Sequence, residues 1–279
     1  MTTTEIPTRL LVHALVREDG TVDAGELYGV AEALGMTDQQ VRLCVRRLAA
    51  EGRFTQEGRG RRAVLRATGT AADELAADVG YVELAYAQDR GEAPWDGNWH
   101  LFAFAVPESR RAARDGLREA LTGLGAAPVQ GGLYVSPHAI GPFVAEAAER
   151  LGLGDSLTTA SSRDLRVAGR SEPGEVAAVL WPLEETAGRY GELSDLAAVE
   201  GRDPLVHAVE LAAAFSRAMR PDPLLPPELL PHPWPGSTAR AAAAGAWNRL
   251  LAAEPVDAGG PRLRLFAAYG ESVRAAAGA

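Results

Sequence analysis

Glutamine and arginine side chains recur at helical spacing in one segment of the chain, where they could contact a nucleic acid. Amide groups match the hydrogen-bonding edge of adenine in the major groove, and guanidinium groups match that of guanine. Because the N-terminal half of a recognition helix makes most base contacts, we assign this role to Gln39, Gln40 and Arg42. Arg46 and Arg47 come one turn later, where contact with phosphates is expected.

The same segment is cationic in a protein that is acidic overall. Residues 37–68 contain eight arginines and three acids, a net charge of +5, whereas the whole chain carries −9. A local excess of positive charge is typical of a surface that binds a polyanion. The glycine-rich tip Gly58–Arg62 supplies Arg59, Arg61 and Arg62, which we expect to reach phosphates or a minor groove. A solvated, charged face on a small structural domain is the alternative.

Three helices and a hairpin are expected to position these side chains. Apolar spacing and turn residues predict three helices and then two strands, over residues 7–18, 24–34, 38–51, 53–56 and 63–68. Thr37 is the expected N-cap of the third helix and a member of the DNA-binding set, and Gln40 completes a capping box with it. We therefore predict a winged helix-turn-helix DNA-binding domain in residues 1–70.

The size and composition of the chain restrict its class. With 279 residues, of which 47% are hydrophobic and 23% charged, it is long enough for two or three domains with buried cores. Its single cysteine, Cys44, excludes an intrachain disulfide and a cysteine-rich zinc site. The apolar runs are too short to span a bilayer, and the first residues lack the regions of a signal peptide. We therefore expect a cytoplasmic protein with no membrane partner.

The middle of the chain alternates strand and helix patterns. The expected elements are strands over 99–106 and 132–136, helices over 108–124 and 143–151, and one or two strands within 157–167. This order favours a ferredoxin-like α+β unit of the βαββαβ type in residues 95–172. A linker helix in residues 71–94 would join that unit to the N-terminal domain.

The remaining residues, 173–279, predict a mostly α-helical domain, so the whole chain is expected to be an α+β multidomain protein. Helical patterns occupy residues 179–196, 205–219, 238–253 and 262–276. Ser237 is the expected cap of the third of these helices. Seven prolines within residues 221–235 exclude a continuous helix, yet the leucines among them are too apolar for a solvated tether. We expect an ordered loop that packs over helices.

No catalytic constellation is recognisable in the sequence. The five histidines are scattered without metal-ligand spacing. Neither a Gly-x-Ser-x-Gly elbow nor a phosphate-binding loop occurs. We therefore predict no enzyme activity, no catalytic residue, no metal site and no cofactor.

Motifs spread in order over almost the whole chain carry a family resemblance. They are VRLCVRRLAAEG, GRGRR, LRATGTA, WDGNWHLFAFAVPES, GGLYVSP, LWPLEETAGRY and DPLLPPELLPHPWPG. In these motifs the chain resembles the PaaX family of transcriptional repressors of phenylacetic acid catabolism. The resemblance implies a homodimeric bacterial regulator that binds a palindromic double-stranded DNA operator. It also implies release by an acyl-CoA effector, typically phenylacetyl-CoA, and a C-terminal domain that dimerises and senses it.

A metal-dependent nuclease is the competing prediction, because the middle domain of this family resembles a small CRISPR spacer-acquisition nuclease of the same fold. Such a nuclease needs an acidic metal ligand at the end of the first strand. Where regulators of the family commonly show Phe-Asp-x-Pro, this chain has Phe104, Ala105, Val106 and Pro107. The missing acid disfavours a nuclease. An interaction module without a DNA target is the third alternative.

Residues downstream of the N-terminal domain are candidates for effector binding. Arg110, Arg111 and Arg114 could attract a CoA phosphate, although a helix face with internal ion pairs is the favoured interpretation. Trp99 could stack on a ligand, but a packing role is favoured. The candidate effector-binding residues are Trp99, Arg110, Arg111, Arg114, Trp181, Tyr190, His207 and Arg217.

Overall fold

The chain is a mixed α+β protein with two small antiparallel sheets and many helices, described by a computed structural model. The structure describes residues 6–17, 19–253 and 273. These residues divide into two compact units. The second unit contains residues 91–188 and 220–234, and the first unit contains the other described residues. The division into four domains that the sequence suggests stays a prediction.

Helices outnumber strands in the part of the chain that the structure describes. The helices are α1 (Thr8–Ala14), α2 (Ala24–Ala33), α3 (Asp38–Ala50), α4 (Gly69–Asp89), α5 (Arg111–Gly123), α6 (Gly141–Arg150), α7 (Pro173–Leu180), α8 (Leu183–Arg189), α9 (Gly191–Ala197), α10 (Pro204–Met219) and α11 (Pro235–Ala253). The strands are β1 (Thr21–Asp23), β2 (Phe54–Glu57), β3 (Val64–Ala67), β4 (Trp99–Phe104), β5 (Ala127–Gln130), β6 (Leu133–Ser136) and β7 (Leu157–Ser162).

The N-terminal part of the first unit packs α1, α2 and α3 with a three-stranded sheet. The strand order is β1-β3-β2, and both neighbouring pairs are antiparallel. The predicted apolar face of α3 is confirmed, because Val41, Val45 and Leu48 are buried and Cys44 is half-buried. These residues share one hydrophobic core with α1 and α2, which fixes the orientation of α3.

The long helix α4 and the helices α9, α10 and α11 complete the first unit. Val209 of α10 lies in the same hydrophobic core as the N-terminal helices. A buried ion pair joins α4 to α11, where Nη2 and Nε of Arg240 donate to the Asp89 carboxylate at 2.6 and 2.7 Å. The helix predicted over residues 205–219 is confirmed as α10.

The second unit contains the element order β4-α5-β5-β6-α6-β7. Its sheet has the strand order β5-β6-β4-β7, and every neighbouring pair is antiparallel. Helices α5 and α6 cover one face of this sheet, where Leu117, Leu121 and Val144 pack with Phe102 and Tyr134. Successive strand residues point to opposite faces, so the other face needs a cover of its own.

That other face is covered by α7 and the proline-rich segment. Trp99 of β4 shares a hydrophobic core with Trp181, Leu225 and Leu229. The ordered, packed loop predicted for residues 221–235 is therefore confirmed. Its prolines prevent a continuous helix, and its leucines stabilise it by packing on the sheet.

Two local expectations about the C-terminal helices are wrong. The helical pattern over 179–196 is divided among α7, α8 and α9. The break between α7 and α8 falls where Trp181 is extended and Pro182 lacks the N–H that a continuous helix would need. Ser237 is not an N-cap, because α11 already begins at Pro235. In both places a proline sets the boundary.

The sequence pattern does not predict strands β1 and β5. Strand β1 has three residues, and β5 contains Pro128, which lowers its strand propensity. Both are edge strands, so pairing with a neighbour forms them rather than a pattern of their own. The helix predicted over 262–276 lies outside the described residues, apart from residue 273.

Candidate nucleic-acid interface

One side of α3 is exposed and carries most of the side chains predicted to contact DNA. We define the outer face of α3 as the exposed residues Gln39, Arg42, Leu43, Arg46 and Arg47. The opposite side of the helix is buried in the hydrophobic core of the first unit. Packing of the apolar side therefore presents the polar side chains to solvent.

The predicted capping box at the start of α3 is confirmed. Thr37 Oγ1 accepts from the Gln40 backbone N–H at 3.3 Å, and Gln40 Oε1 accepts from the Thr37 N–H at 2.7 Å. Bidentate contact with adenine uses the side-chain carbonyl and amide of one residue together. The capping bond already uses the Gln40 carbonyl, so this carbonyl is not available for such a contact. Gln39 makes no side-chain hydrogen bond with other described residues, so both of its groups are available.

The acid nearest to Arg42 along the helix pairs with a different arginine. Asp38 lies four residues before Arg42, a spacing at which helical ion pairs form. In the structure the Asp38 carboxylate lies 3.3 Å from Nη2 of Arg61 instead. Arg42 Nε donates to the Asp38 backbone carbonyl at 3.3 Å. The positive charge of Arg42 is therefore not compensated by this acid.

Glu51, at the other end of α3, also pairs with arginines other than the one four residues away in the helix. It follows Arg47 by four residues, yet its carboxylate lies 3.1 Å from Nη1 of Arg9 and 3.2 Å from Nε of Arg53. Arg46 and Arg47 form no ion pair with any other residue that the structure describes. The outer face of α3 thus keeps guanidinium groups that form no ion pair with any acid in the described part of the chain.

The hairpin of β2 and β3 is held against α2 through Arg61. The Arg61 guanidinium lies 3.3 Å from the carboxylates of Glu32 and Asp38 and 5.3 Å from the centre of the Tyr28 ring. A Cβ on Gly25 would lie 3.0 Å from the Arg61 carbonyl oxygen, so a side chain there would push the hairpin away. Arg61 therefore has a positioning role in this chain, whatever else it contacts.

The other arginines of the hairpin are exposed. Arg59 and Arg62 lie at the predicted tip and form no ion pair within the described part of the chain. Arg66 lies in β3 opposite Thr55 of β2, next to the buried Leu65. Arg66 contributes to the positive charge of residues 37–68, but it is not among the residues that the sequence predicts to contact DNA. The alternation of Leu65 and Arg66 along a strand is the signal that places Arg66 on the solvent side.

The two tryptophans among the effector candidates belong to the core of the second unit. Trp99 is 1% exposed, and its ring stacks on that of Trp181 with the centroids 6.3 Å apart. Nε1 of Trp181 donates to the Gly125 carbonyl at 3.0 Å. Trp95 packs edge-on against Trp99 with a centroid distance of 5.0 Å. Packing within the unit accounts for these side chains.

The three candidate arginines near the start of α5 also have partners within the second unit. Nη2 of Arg110 donates to two backbone carbonyls just after α6, at 3.1 and 2.9 Å. Arg111 and Arg114 each lie within ion-pair distance of both Glu108 and Asp115. The hydrogen bond to Glu108 raises the pKa of Arg114. The ion-paired helix face favoured by the sequence is therefore present.

The last three effector candidates lie in the first unit. Tyr190 is buried, and its hydroxyl accepts from Nη1 of Arg240 at 2.9 Å. His207 is buried, with Nε2 2.8 Å from a backbone carbonyl oxygen of α9. Arg217 donates twice to the carboxylate of Glu192, at 2.7 and 3.1 Å. The candidates are thus divided between two units, and their role in effector binding stays a prediction.

Among the described residues, no group of three or more His, Cys, Asp and Glu could hold a metal ion, and no helix is long and apolar enough to cross a membrane. Strand β4 ends at Phe104 and is followed by exposed Ala105, where a nuclease would need an acid. Burial raises the pKa of the Cys44 thiol, which favours its unreactive protonated form.

Comparisons with known proteins identify one family along the chain. The sequence model of PaaX-like protein matches residues 6–71, that of the PaaX protein central Cas2-like domain matches 92–176, and that of the PaaX-like protein C-terminal domain matches 181–255. Among solved structures, uncharacterized protein Rv0674 from Mycobacterium tuberculosis is similar with a TM-score of 0.59 and 22% sequence identity, over 88% of this chain and 98% of that chain. This identity shows a shared fold alone. No curated protein matches the chain.

Proposed function

The chain belongs to the PaaX family, and from this premise we propose that it is a DNA-binding repressor of phenylacetate catabolism. In this proposal α1, α2, α3 and the β2–β3 hairpin form a winged helix-turn-helix domain. The part of the second unit from β4 to β7 is a ferredoxin-like unit that positions this domain, and the C-terminal helices dimerise and sense the effector. Regulators of this family are generally not enzymes, so we expect no catalytic activity.

The uncompensated arginines of α3 and the hairpin carry the DNA-binding proposal. Of the acids in this region, Glu32, Asp38 and Glu51 pair with other arginines of the first unit, whereas Glu57 of β2 forms no ion pair with other described residues. Cations without acid partners can replace the counterions of DNA phosphates, and the release of these counterions drives binding. Within α3 and the β2–β3 hairpin, the exposed arginines that form no ion pair with other described residues are Arg42, Arg46, Arg47, Arg59, Arg62 and Arg66.

We divide the contacts by position on the helix and hairpin. Gln39 and Arg42 lie in the first half of α3 and are assigned to base edges. The arginines assigned to phosphates are Arg46, Arg47, Arg59 and Arg62. Thr37, Gln40 and Arg61 remain candidates for DNA contact, and each also positions the helix or the hairpin through the bonds described above.

The proposal of dimerisation and of release by an effector rests on family membership. We propose that a homodimer binds a palindromic operator and that an acyl-CoA such as phenylacetyl-CoA releases it. One dimer geometry places the two α3 helices a helical turn of DNA, or a multiple of it, apart. The effector binds a second geometry more tightly and shifts the population towards it.

Fluorescence anisotropy with a duplex from the region upstream of the protein's own gene tests DNA binding. We expect tighter binding than to a shuffled duplex of the same composition. We also expect log affinity to fall linearly with log salt, with a slope of about −0.9 for each phosphate contact. Equally weak binding to both duplexes, without salt dependence, would contradict the proposal.

The effector class needs a separate measurement. A ligand that binds the folded state raises the melting temperature, so phenylacetyl-CoA should raise it more than free CoA does. The same compound should lower the anisotropy of the DNA complex. If no thioester in an acyl-CoA series does either, the effector class is wrong and the DNA-binding assignment is unaffected.

A further inference from the structure

Leu43 is an exposed leucine in the middle of the outer face of α3. Its exposed fraction is 39%, and the other exposed large hydrophobic side chains among the described residues, Phe143 and Val179, lie in the second unit. A single exposed leucine is common on protein surfaces and by itself indicates nothing. The side chains around Leu43 distinguish it from an ordinary exposed leucine.

Helical spacing surrounds Leu43 with side chains proposed to bind DNA. Residues three and four positions apart are neighbours on a helix surface. For Leu43 these neighbours are Gln39 and Gln40 towards the N-terminus and Arg46 and Arg47 towards the C-terminus. All four are exposed, and the buried side of α3 faces away from them. Leu43 is therefore an apolar spot bordered by amide and guanidinium groups.

The chemistry of this surface indicates what covers it. Guanidinium groups without acid partners attract a polyanion, which favours a nucleic acid over an apolar protein groove as the occupant of this surface. Leu43, the apolar side chain among these groups, would pack against an apolar group on the surface of that polyanion. In the major groove of DNA, the apolar group on the base edges is the C5-methyl of thymine.

We propose that Leu43 contacts the C5-methyl group of a thymine and thereby specifies a T·A pair in each operator half-site. This inference rests on the DNA-binding function proposed above and adds a base-specific residue to it. Gln39, one turn earlier on the same face, offers the amide that matches an adjacent adenine. Arg46 and Arg47 hold the phosphates beside these bases.

Replacing thymine by uracil tests the contact directly, because uracil lacks the methyl group and keeps every hydrogen-bonding group. Burial of one such carbon is worth about fourfold in affinity. A duplex that the full-length chain selects from a randomised library serves as the probe. Each thymine of one half-site is replaced in turn by deoxyuridine, and the Kd is measured by fluorescence anisotropy at constant salt.

For the wild-type chain we expect one thymine position where uracil weakens binding by about fourfold. Leu43→Ala should bind the thymine duplex at least about fourfold more weakly and should lose the preference for thymine over uracil. Alanine has the highest helix propensity and the position is exposed, so α3 is preserved in this variant. The salt dependence of binding should not change, since no charge is removed.

Two further variants serve as controls. Leu43→Met keeps an apolar side chain of similar volume and should keep the thymine preference. Val179→Ala removes an exposed apolar side chain from the second unit and should leave both affinity and preference unchanged.

Each outcome decides the inference. A thymine preference that Leu43→Ala abolishes and Leu43→Met retains supports it. A wild-type chain that binds thymine and uracil duplexes equally at every position overturns it, and so does a preference that persists in Leu43→Ala. Both of these results leave DNA binding in place. A chain that enriches no duplex from the library overturns the proposed function as well.

Discussion

Helix α3 of the first unit and helix α5 of the second are both 13 residues long, and both carry arginines on their exposed sides. In α5, Arg111 lies 3.4 Å from the Asp115 carboxylate one turn later, and Arg118 donates to the Tyr134 hydroxyl at 3.1 Å. The arginines on the outer face of α3 form no ion pair with other described residues. Similar residue types thus have different surroundings in the two helices.

The difference teaches that the placement of acids, not the number of arginines, decides which arginines remain without an ion pair. In α5, Asp115 pairs with Arg111 and Arg114 of its own helix. The two acids at the ends of α3 pair with arginines outside that helix: Asp38 with Arg61, and Glu51 with Arg9 of α1 and with Arg53 in the turn after α3. A tertiary network therefore leaves the outer face of α3 without compensating charge.

The largest change in the free energy of unfolding is expected when Arg240, the most deeply buried of the paired arginines described, loses its partner. Its side chain is 4% exposed and that of its partner Asp89 is 15% exposed. Asp89→Ala leaves a buried guanidinium without its carboxylate, so we expect the free energy of unfolding to fall by about 3 to 5 kcal/mol, measured by urea denaturation. Glu192→Ala breaks the exposed pair with Arg217 and should cost at most about 1 kcal/mol. Equal losses would contradict this contrast between buried and exposed pairs.

Removal of the uncompensated arginines of α3 should change DNA binding, whereas removal of the paired arginines of α5 should not. The double variant Arg46→Ala with Arg47→Ala should flatten the plot of log affinity against log salt by about 1.8, for two phosphate contacts. Arg111→Ala with Arg114→Ala removes the same charge from α5 and should leave the slope unchanged. Equal flattening by both double variants would indicate an effect of net charge alone.

Two adjacent arginines of the hairpin sharpen the comparison. Arg62→Ala should flatten the plot of log affinity against log salt by about 0.9, for one phosphate contact.

Arg61→Ala should lower the free energy of unfolding by at most about 1 kcal/mol, because its ion pairs are half exposed. It should also free Asp38 to pair with Arg42. Adding Asp38→Asn to Arg61→Ala should then restore part of the DNA affinity. Without such recovery, direct DNA contact by Arg61 would be the better explanation.

The exposed ion pairs of α5 should have the smallest effect. Arg111→Ala removes contacts at 3.4 and 3.6 Å between side chains that are at least half exposed. We expect the free energy of unfolding to change by no more than about 0.5 kcal/mol, measured by urea denaturation beside the wild type. A larger loss would mean that its ion pairs, rather than its buried leucines, hold α5 in place.

Features that depend on nearby residues could be predicted from the sequence. The capping box of Thr37 and Gln40, the buried stripe of α3 and the two strands of the hairpin all follow from short spacings. The edge strands β1 and β5 could not be predicted, because cross-strand neighbours stabilise them more than their own residues do. The break before α8 has a local signal in Pro182, which the helical pattern around it obscures.

The candidate site could be predicted less completely than the fold. Helical spacing alone places Gln39 and Arg46 on the exposed side of α3, and the structure agrees. The partners of Arg61 are 23 and 29 residues away along the chain, so no local pattern reveals them. The aromatic side chain of Trp99 suggests that it could stack on a ligand. Its burial depends on packing in the core of the second unit, which no local pattern reveals.

By itself the sequence determined a cationic segment in an acidic chain, a capped helix followed by a hairpin, and the motifs of one family. These properties depend on residue types and short spacings. Only the tertiary structure decided which arginines remain uncompensated. Asp38 and Glu51 each have an arginine four residues away in α3, but the fold places Arg61 3.3 Å from the Asp38 carboxylate and Arg9 3.1 Å from that of Glu51. Ionic attraction depends on separation in space, so the partner that the fold brings closest prevails over the neighbour in sequence.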